Sequence, residues 1–498
     1  MADDSLTPLS IVRQSAKLSG AKIAGALVML PVTLLVARFL GPRLMGVVGL
    51  VTLWQLYANL LKPSMFSAAF REMPGLLARG DRESTVRLQN IGITSEGTYL
   101  VLPVIAFVVG ALIQPDPLVR NALLVGAAAF VFTQLNYFVD GVQWAHQRYG
   151  LIARASLIGA VVSGIFVVAT IKWLGVYAAL LIPAVTAVAA VTVYAIAAPP
   201  MDFKPKWDWV QARALLRVGI PLALGTIFYW AFRTTDRTLV AALMPLTALG
   251  YLSFSMQFID SAIKLVSDFQ NVLAMRVWSR LGTASHEPLG AASRRLSLIV
   301  LIVTCLGINL SQSLFGAFVK LIAPAFAPAV PVFEVLVILL TAGTVGMLPV
   351  TILNSPTVNR QKLASLIFGI GVPINAALVI ASIKLGYGLV GVAASTVLAQ
   401  SLVATAMIIA ARDQMFHRGE RSFPFYAVML GIYALSIGVD LAFHIDPLRL
   451  GEGSHVWVAS ALRAIVTLVV WAPVFVVFAK LRWPGVEPTP AKVPAGVS

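Results

Sequence analysis

The chain has 498 residues, of which 59% are hydrophobic and 12% are charged, and its mean hydropathy is +0.87. This composition excludes an ordinary soluble domain and places nearly every segment in lipid. A net charge of +16 is typical of nucleic-acid-binding proteins, but the basic residues of this chain stand between apolar runs and form no continuous basic surface. We therefore expect no nucleic-acid partner, and we expect the cations to face an anionic membrane surface.

Fourteen apolar runs are long enough to cross about 30 Å of hydrocarbon. The predicted spans are 18–37, 44–61, 91–113, 118–138, 151–171, 174–198, 214–232, 238–259, 296–316, 331–353, 363–383, 388–411, 424–444 and 456–479. The N-terminal MADDSLTPLS lacks the features of a signal peptide, so the first run is predicted to be a retained span. The fold class is therefore an all-α, multi-pass membrane protein.

The distribution of basic residues predicts how these spans are oriented in the membrane. If the N-terminus is cytoplasmic, 26 of the 37 Lys and Arg residues lie on the cytoplasmic side and nine lie outside, among them Arg233 and Arg237. Because cytoplasmic loops are enriched in Lys and Arg, this asymmetry predicts that both termini are cytoplasmic.

Two sequence echoes divide the chain into related halves. Residues 148–172 resemble 360–384 at a shift of 212, and residues 34–50 resemble 238–254 at a shift of 204, which matches Gly46 with Gly250. Tandem related bundles with a site between them are a recurring plan of secondary transporters.

The predicted organisation is two pseudo-symmetric six-helix lobes and two further helices. The segments are an N-terminal lobe (1–198), a cytoplasmic linker (199–213), a C-terminal lobe (214–411), two additional helices (412–480) and a disordered cytoplasmic tail (481–498). The connections are too short to hold a folded catalytic domain.

The sequence predicts no catalytic residue, metal site or cofactor. Its single Cys305 offers no disulfide, and the five His residues form no metal-binding spacing. The segment GYGLVG (386–391) fits a dinucleotide-binding pattern literally, but it lies between two apolar spans without a preceding strand, so we reject that interpretation. No phosphate-binding P-loop occurs in the chain.

The chain resembles the polysaccharide-transporter branch of the multidrug/oligosaccharidyl-lipid/polysaccharide (MOP) exporter superfamily. The resemblance lies in fourteen spans arranged as two lobes plus two helices, the early LLVARFLGP turn, and FRTTDRTLVAALMPLTALGYLSF (232–254) at the start of the second lobe. It implies a flippase that moves a polyisoprenyl-diphosphate-linked oligosaccharide across the bacterial inner membrane by alternating access.

The resemblance also bears on pathway and partners. The expected pathway is surface polysaccharide synthesis (exopolysaccharide, capsule or the O-antigen of lipopolysaccharide). The implied partners are the lipid-linked oligosaccharide and membrane lipid, with a polysaccharide polymerase and a chain-length regulator as candidates. Two other kinds of transporter belong to the same superfamily and stay open as alternatives: a peptidoglycan lipid-precursor flippase and a cation-coupled multidrug exporter. A membrane glycan polymerase or ligase is disfavoured, because no sizeable outer loop is present.

Seven ionisable residues in or beside the spans are candidate substrate-binding residues. A charge in hydrocarbon is costly, so its presence points to function. The implied substrate needs cations for its diphosphate and a polar cavity for its sugars. The seven residues are Lys22, Arg71, Glu96, Arg154, Arg233, Asp236 and Lys264.

Each of the basic candidates has a structural alternative. Lys22 and Arg154 lie about one turn into spans 1 and 5, where they could meet phosphate or extend to the interface. Arg71 follows span 2 and fits either a phosphate contact or a cytoplasmic anchor. Lys264 follows Asp260 and stands four residues before Asp268, a spacing that also suits a helical ion pair.

The remaining candidates also allow two interpretations. FRTTDR (232–237) is expected at the outer end of span 7, where a local ion pair could fix the turn or the charges could gate the two lobes. Glu96, about one turn into span 3, is either a carboxylate that couples transport to an ion or the partner of a neighbouring cation. No deep pair of carboxylates identifies a proton or sodium site.

Overall fold

The computed structural model describes residues 8–480 except 63, 200–202, 282–286, 355–357, 359, 417–421 and 445–455. The described residues are almost entirely helical and contain no strand. The helices are α1 (Pro8–Leu60), α2 (Met65–Ala78), α3 (Arg82–Tyr99), α4 (Val101–Ile113), α5 (Pro117–Ala145), α6 (Tyr149–Leu174), α7 (Val176–Ala197), α8 (Trp209–Leu243), α9 (Leu246–Leu281), α10 (Glu287–Ile322), a 3₁₀ helix (Pro324–Ala329), α11 (Val330–Leu336), α12 (Leu339–Leu353), α13 (Gln361–Lys384), α14 (Gly388–Met415), α15 (Phe423–His444) and α16 (Val456–Lys480).

The prediction of an all-α, multi-pass membrane protein is confirmed. Ten segments of the described chain are long and apolar enough to cross a membrane. Large apolar side chains remain exposed on these segments, such as Leu112 on α4, Trp173 on α6 and Ile196 on α7. Exposed apolar surface of this kind is stable in contact with lipid chains. The number fourteen stays a prediction, although each of the fourteen runs overlaps a described helix.

A sharp turn at Gly41 divides α1 into the predicted spans 1 and 2. Gly41 has φ +69° and ψ 176°, a conformation that costs glycine little because it has no Cβ. Pro42 follows and has no backbone N–H to continue the hydrogen bonding of the first span. The LGP sequence therefore reverses the chain without a loop.

Residue contacts divide the chain into two compact units. The first comprises Met1–Leu265, Phe318–Leu336 and Phe368–Thr396. Within it α6 packs against α1 and α7, and α2 packs against α3 and the start of α8. The predicted lobes, 1–198 and 214–411, stay a prediction, and the predicted tail lies outside the described residues.

The second unit comprises Val266–Ala317, Val337–Ile367 and Val397–Ser498. A buried polar cluster joins three of its helices, α10, α15 and α16. The Asn309 side chain accepts hydrogen bonds from Trp471 Nε1 at 3.1 Å and Ser436 Oγ at 3.3 Å, and its Nδ2 donates to the Ser436 carbonyl at 3.0 Å. Because unsatisfied polar groups are costly in an apolar interior, these bonds fix how the two additional helices pack on α10.

The linker before α8 is fastened to the first unit. Asp208 caps α8 by accepting hydrogen bonds from the backbone N–H groups of Val210 and Gln211, and it pairs with Arg87 of α3 at 3.0 Å. The backbone bond from Gln211 and the Arg87 guanidinium lower the pKa of Asp208 below its usual value. The linker residue Trp207 stacks edge-to-face with Trp209, the first residue of α8, at 4.9 Å between ring centres.

The two echoes correspond to structurally matched elements. In the first, α6 begins directly after Arg148 and α13 begins directly after Arg360, the residue matched to it at a shift of 212. In the second, the matched glycines Gly46 and Gly250 lie against each other.

The contact at these two glycines is reciprocal. A Cβ on Gly46 would lie 1.9 Å from the Leu246 carbonyl oxygen, and a Cβ on Gly250 would lie 1.9 Å from the Pro42 carbonyl oxygen. Residues 42 and 246 are also related by the shift of 204. Such an exchange of equivalent contacts is what a two-fold relation between α1 and α9 produces.

We predict that Gly46→Ala and Gly250→Ala destabilise the protein, because no methyl group fits beside the facing carbonyl. Over-packing of this kind costs about 1–3 kcal/mol, whereas alanine by itself favours a helix by about 1 kcal/mol. The measurement is the midpoint of thermal unfolding in detergent.

Gly97→Ala in α3 is the matched control, since a Cβ there meets no atom within 4 Å. Its midpoint should equal or exceed that of the wild type. Midpoints for the Gly46 and Gly250 variants as high as that of Gly97→Ala would contradict the proposed close contact.

Candidate functional site

Two arginines of α8 share one carboxylate of α9. Arg233 Nη2 donates to Asp260 Oδ1 at 2.8 Å, and Arg237 Nη2 donates to Asp260 Oδ2 at 2.5 Å. The two arginines lie one helical turn apart, so their guanidinium groups project from the same face of α8. The side chains of Arg233 and Arg237 are 8% and 15% exposed, whereas that of Asp260 is 39% exposed.

This ion cluster borders a cavity of about 290 Å³ in the first unit. Its walls come from the second half of α1, from α8 and from α9. The lining residues are Met45, Val48, Gly49, Thr52, Arg237, Ser253, Gln257, Asp260 and Ser261. Charged groups in such a partly dry space interact more strongly than they would in water. The cavity therefore offers a guanidinium together with several hydroxyl and amide groups.

The structure corrects the expected position of FRTTDR. The sequence placed Arg233 and Arg237 outside the membrane at the end of span 7, but α8 continues to Leu243 and the turn lies at 244–245. The motif is therefore inside the helix. The charges interrupt the apolar run without ending it, because Asp260 compensates both arginines and makes their burial tolerable.

Asp236 lies in a separate buried pocket between α8, α13 and α14. Its Oδ1 accepts the Arg237 backbone N–H at 2.8 Å, and its Oδ2 accepts the Thr396 hydroxyl at 3.4 Å. Asn375 of α13 donates through Nδ2 to the Phe232 carbonyl at 3.3 Å, one turn before Asp236.

The hydrogen-bond donors of this pocket leave one of its buried oxygen atoms without a partner. Asp236, Asn375 and Thr396 are 0%, 0% and 2% exposed. Asn375 Oδ1 has no hydrogen-bond partner among the described residues. Such an orphaned buried oxygen is uncommon and calls for a physical explanation.

Glu96 forms a buried pair with Lys62 rather than facing the cavity described above. Lys62 Nζ lies 3.6 Å from Glu96 Oε1, donates to Gln134 Oε1 at 2.6 Å and lies 4.3 Å from the centre of the Tyr137 ring. Glu96 Oε2 accepts the Phe66 backbone N–H at 2.8 Å, so it caps the start of α2. These contacts hold α2, α3 and α5 together.

The other predicted site residues are less informative. Arg154 of α6 is exposed. Lys22, Arg71 and Lys264 stand on α1, α2 and α9, but their side chains lie outside the described part of the structure. Their role in substrate binding stays a prediction.

Sequence reasoning missed three residues of these sites. Asp260 was considered only in connection with Lys264, whereas its observed partners are on α8. Asn375 and Thr396 were overlooked as single polar residues in apolar spans. The available signal was that an amide in the middle of a predicted span is unusual and should have been treated as Glu96 was.

The sequence matches the model of one protein family, described as polysaccharide biosynthesis protein, over residues 35–311. This match covers more than half of the chain. The chain belongs to the polysaccharide biosynthesis protein family. Comparison with curated protein sequences gives no match.

Solved structures similar to this family member are transporters. The "Lipid II flippase MurJ, inward closed conformation" has a TM-score of 0.68 and 12% identity, with 93% of this chain and 98% of that chain covered. An inward-facing multidrug resistance MATE family transporter of the MOP superfamily has a TM-score of 0.64 and 13% identity, with 79% and 98% covered. Its outward-facing conformation has a TM-score of 0.60 and 14% identity, with 82% and 96% covered.

Family and fold together confirm the resemblance stated from the sequence. The fold is that of the MOP exporters, and the family match identifies the polysaccharide branch. At these identities the structural likeness establishes the fold alone. Among the described residues no three His, Cys, Asp or Glu side chains are grouped as metal ligands would be.

Proposed function

We propose that this polysaccharide biosynthesis protein is a flippase for a polyisoprenyl-diphosphate-linked oligosaccharide. It moves this lipid from the cytoplasmic to the outer leaflet of the bacterial inner membrane by alternating access. The observation that carries the proposal is the pair of guanidinium groups that share Asp260, of which Arg237 lines the cavity, in a fold shared with exporters.

The chemistry of the ion cluster suits a diphosphate. Arginine binds phosphate oxygens through two parallel N–H donors, and these charge-assisted bonds are about twice as strong as neutral ones. Arg233 and Arg237 already hold two oxygens of one anionic group, Asp260. The same donors can hold oxygens of a diphosphate that approaches from the cavity.

The remaining cavity wall suits a sugar. Thr52, Ser253, Gln257 and Ser261 present hydroxyl and amide groups next to Arg237, and such groups can exchange hydrogen bonds with sugar hydroxyls. The cavity volume of about 290 Å³ is at the lower end of the range for small-ligand sites. The described conformation therefore accommodates a diphosphate and the adjoining sugar, and a longer glycan requires a wider state.

Two other substrates fit the superfamily. MurJ is named as a flippase of lipid II, and the MATE structures are named as multidrug transporters. The match to MurJ covers 93% of this chain, whereas the match to the MATE transporter covers 79% of it. A flippase function therefore fits the length of the chain better than drug export, and the family match favours a polysaccharide substrate over lipid II.

The proposal includes the compartment and the pathway. Both termini are cytoplasmic, as the distribution of basic residues predicts. The translocated units are joined by a polymerase into exopolysaccharide, capsule or O-antigen, with a chain-length regulator as a further partner. Membrane lipid surrounds the exposed apolar helices.

We predict that Arg237→Gln abolishes surface polysaccharide in a deletion strain that carries the variant gene. The amide removes the positive charge that would meet the diphosphate, while the membrane level of the protein should be unchanged because Arg233 still pairs with Asp260. Lipid-linked repeat units should accumulate in the inner leaflet. The measurements are surface polysaccharide by immunoblot and the leaflet distribution of the lipid by protection from an impermeant oxidant.

Lys172→Gln is the matched control, because Lys172 is an exposed cation at the end of α6. It should support normal export. Normal polysaccharide from the Arg237 variant, or accumulation of the lipid in the outer leaflet, would rule out the proposed role.

A second proposal concerns the energy source: the Asp236 pocket binds a small monovalent cation such as Na⁺. Hard cations prefer oxygen ligands, and the pocket offers the Asp236 carboxylate, the unpaired Asn375 Oδ1 and the Thr396 hydroxyl. The buried carboxylate accepts one backbone N–H and one long hydrogen bond, and the charges of Arg233 and Arg237 also act on it.

We predict that Na⁺ raises the thermal unfolding midpoint of the purified wild type relative to K⁺, and that Asp236→Asn loses this increase. A ligand that binds only the folded state stabilises it by RT ln(1 + c/Kd), where c is the free ligand concentration. Asp413→Asn, at an exposed position on α14, should keep the increase. If the Asp236 variant responds to Na⁺ like the wild type, the cation does not bind in this pocket.

A further inference from the structure

Asp260 holds the two guanidinium groups in the way that an anionic ligand would. Each of its carboxylate oxygens accepts from a different arginine, Oδ1 from Arg233 and Oδ2 from Arg237. Two oxygen atoms on one anionic group thus span two guanidinium groups one helical turn apart. A diphosphate can present the same arrangement, because its terminal oxygens lie on two linked phosphorus atoms.

The three side chains differ in their access to the cavity. Asp260 is 39% exposed, whereas Arg233 and Arg237 are 8% and 15% exposed. The carboxylate therefore covers the arginines on the accessible side and can turn away from them without leaving a buried charge behind. The arginines have no such freedom.

The cluster retains unused donor capacity. A guanidinium has five N–H donors, and Arg237 Nε is buried without a hydrogen-bond partner among the described residues. One carboxylate therefore does not saturate the pair. A ligand with more acceptor oxygens would make bonds that Asp260 does not make.

Charge determines which ligands can take the place of Asp260. A diphosphate that links a lipid to a sugar carries two negative charges, one more than the carboxylate, and therefore attracts the two arginines more strongly than Asp260 does. A phosphodiester headgroup of an ordinary anionic phospholipid carries one charge and gains nothing over Asp260. An internal competitor lowers the affinity of every anion by the same factor, so a lipid that binds the arginines weakly stays unbound while a diphosphate that binds them strongly still occupies the site.

We propose that Asp260 occupies the place of the substrate diphosphate in this conformation, and that this internal competition keeps weakly bound, singly charged lipids from occupying the site. This inference rests on the proposed function, since it assumes that Arg233 and Arg237 meet the substrate. Asp260 is then a specificity-determining residue whose effect is to weaken every anion by the same competition.

The first test measures binding to the purified full-length protein in nanodiscs of neutral lipid, with inorganic pyrophosphate and dimethyl phosphate as probes. Asp260→Asn should bind pyrophosphate at least tenfold more tightly than the wild type, because the competing charge is gone. Dimethyl phosphate should gain by a similar factor, because the same competitor is removed for both probes. Asp260→Glu keeps the charge and should stay within about threefold of the wild type.

Unchanged or weaker pyrophosphate binding by Asp260→Asn, or a gain for one probe only, overturns the inference. Arg237→Gln separates this failure from failure of the proposed function. If Arg237→Gln binds pyrophosphate like the wild type, the arginines are not the anion site and both proposals fail. If it loses binding while Asp260→Asn shows no gain, only the role of Asp260 is wrong.

A second test uses the wild type, so that it does not depend on the folding of a variant. Carbodiimide with an amine nucleophile labels accessible carboxyl groups, and mass spectrometry quantifies the peptide that contains Asp260. Pyrophosphate should increase this labelling at least threefold, because the carboxylate is released from the arginines. Equal or lower labelling contradicts displacement.

The same labelling distinguishes a lipid headgroup from a free diphosphate. Nanodiscs that contain a polyisoprenyl diphosphate lipid, without added pyrophosphate, should give the same increase at Asp260. An increase with free pyrophosphate alone overturns the proposal that a lipid displaces the carboxylate.

Discussion

Two largely buried arginines of α8 hydrogen-bond to one carboxylate of α9, and the organisation of the site depends on this compensation, to which the nearby charge of Asp236 adds. Arg233 and Arg237 can remain inside α8 because Asp260 of α9 accepts a hydrogen bond from each. Removing one member of a buried ion pair is much more costly than the net value of the pair, because the partner charge remains. The same ion cluster therefore holds α8 against α9 and supplies the charges of the cavity wall. A ligand that replaces Asp260 must satisfy both arginines at once.

The structural repeat supplies the scaffold of this site but not its charges. Gly46 and Gly250 exchange equivalent close contacts, as two copies of one element should. At the same shift of 204, however, Arg233, Arg237 and Asp260 correspond to the uncharged residues Met29, Thr33 and Leu56. Both copies thus contribute residues to the cavity wall, but only the second half of the chain contributes its charged residues. Under the proposed function, this asymmetry defines one place for a diphosphate. The buried Lys62–Glu96 pair serves the packing of α2, α3 and α5.

Hydrophobicity over long windows was sufficient to predict the fold class, because spans of about twenty apolar residues are required by the thickness of the bilayer. The same criterion failed at FRTTDR. A window ends at the first arginine, and nothing in the local sequence shows that a carboxylate 27 residues away compensates it. Asp260 was likewise considered with Lys264 on its own helix, since spacing reveals only neighbours along one element. Asn375 and Thr396 could not be connected with Asp236 before the contacts of α13 and α14 with α8 were known.

The central claim is that this cavity carries a diphosphate-linked glycan across the membrane. Its most direct test is translocation in proteoliposomes that contain the purified protein and a fluorescent oligosaccharide on a polyisoprenyl carrier. Two substrates with the same glycan and the same lipid, joined by a diphosphate or by a single phosphate, isolate the contribution of the linkage. We predict translocation of the diphosphate form at least tenfold faster than the monophosphate form, with both at the rate of empty liposomes when Arg237 is replaced by Gln. Equal rates for the two linkages, or no translocation of either above the rate of empty liposomes, would contradict the account.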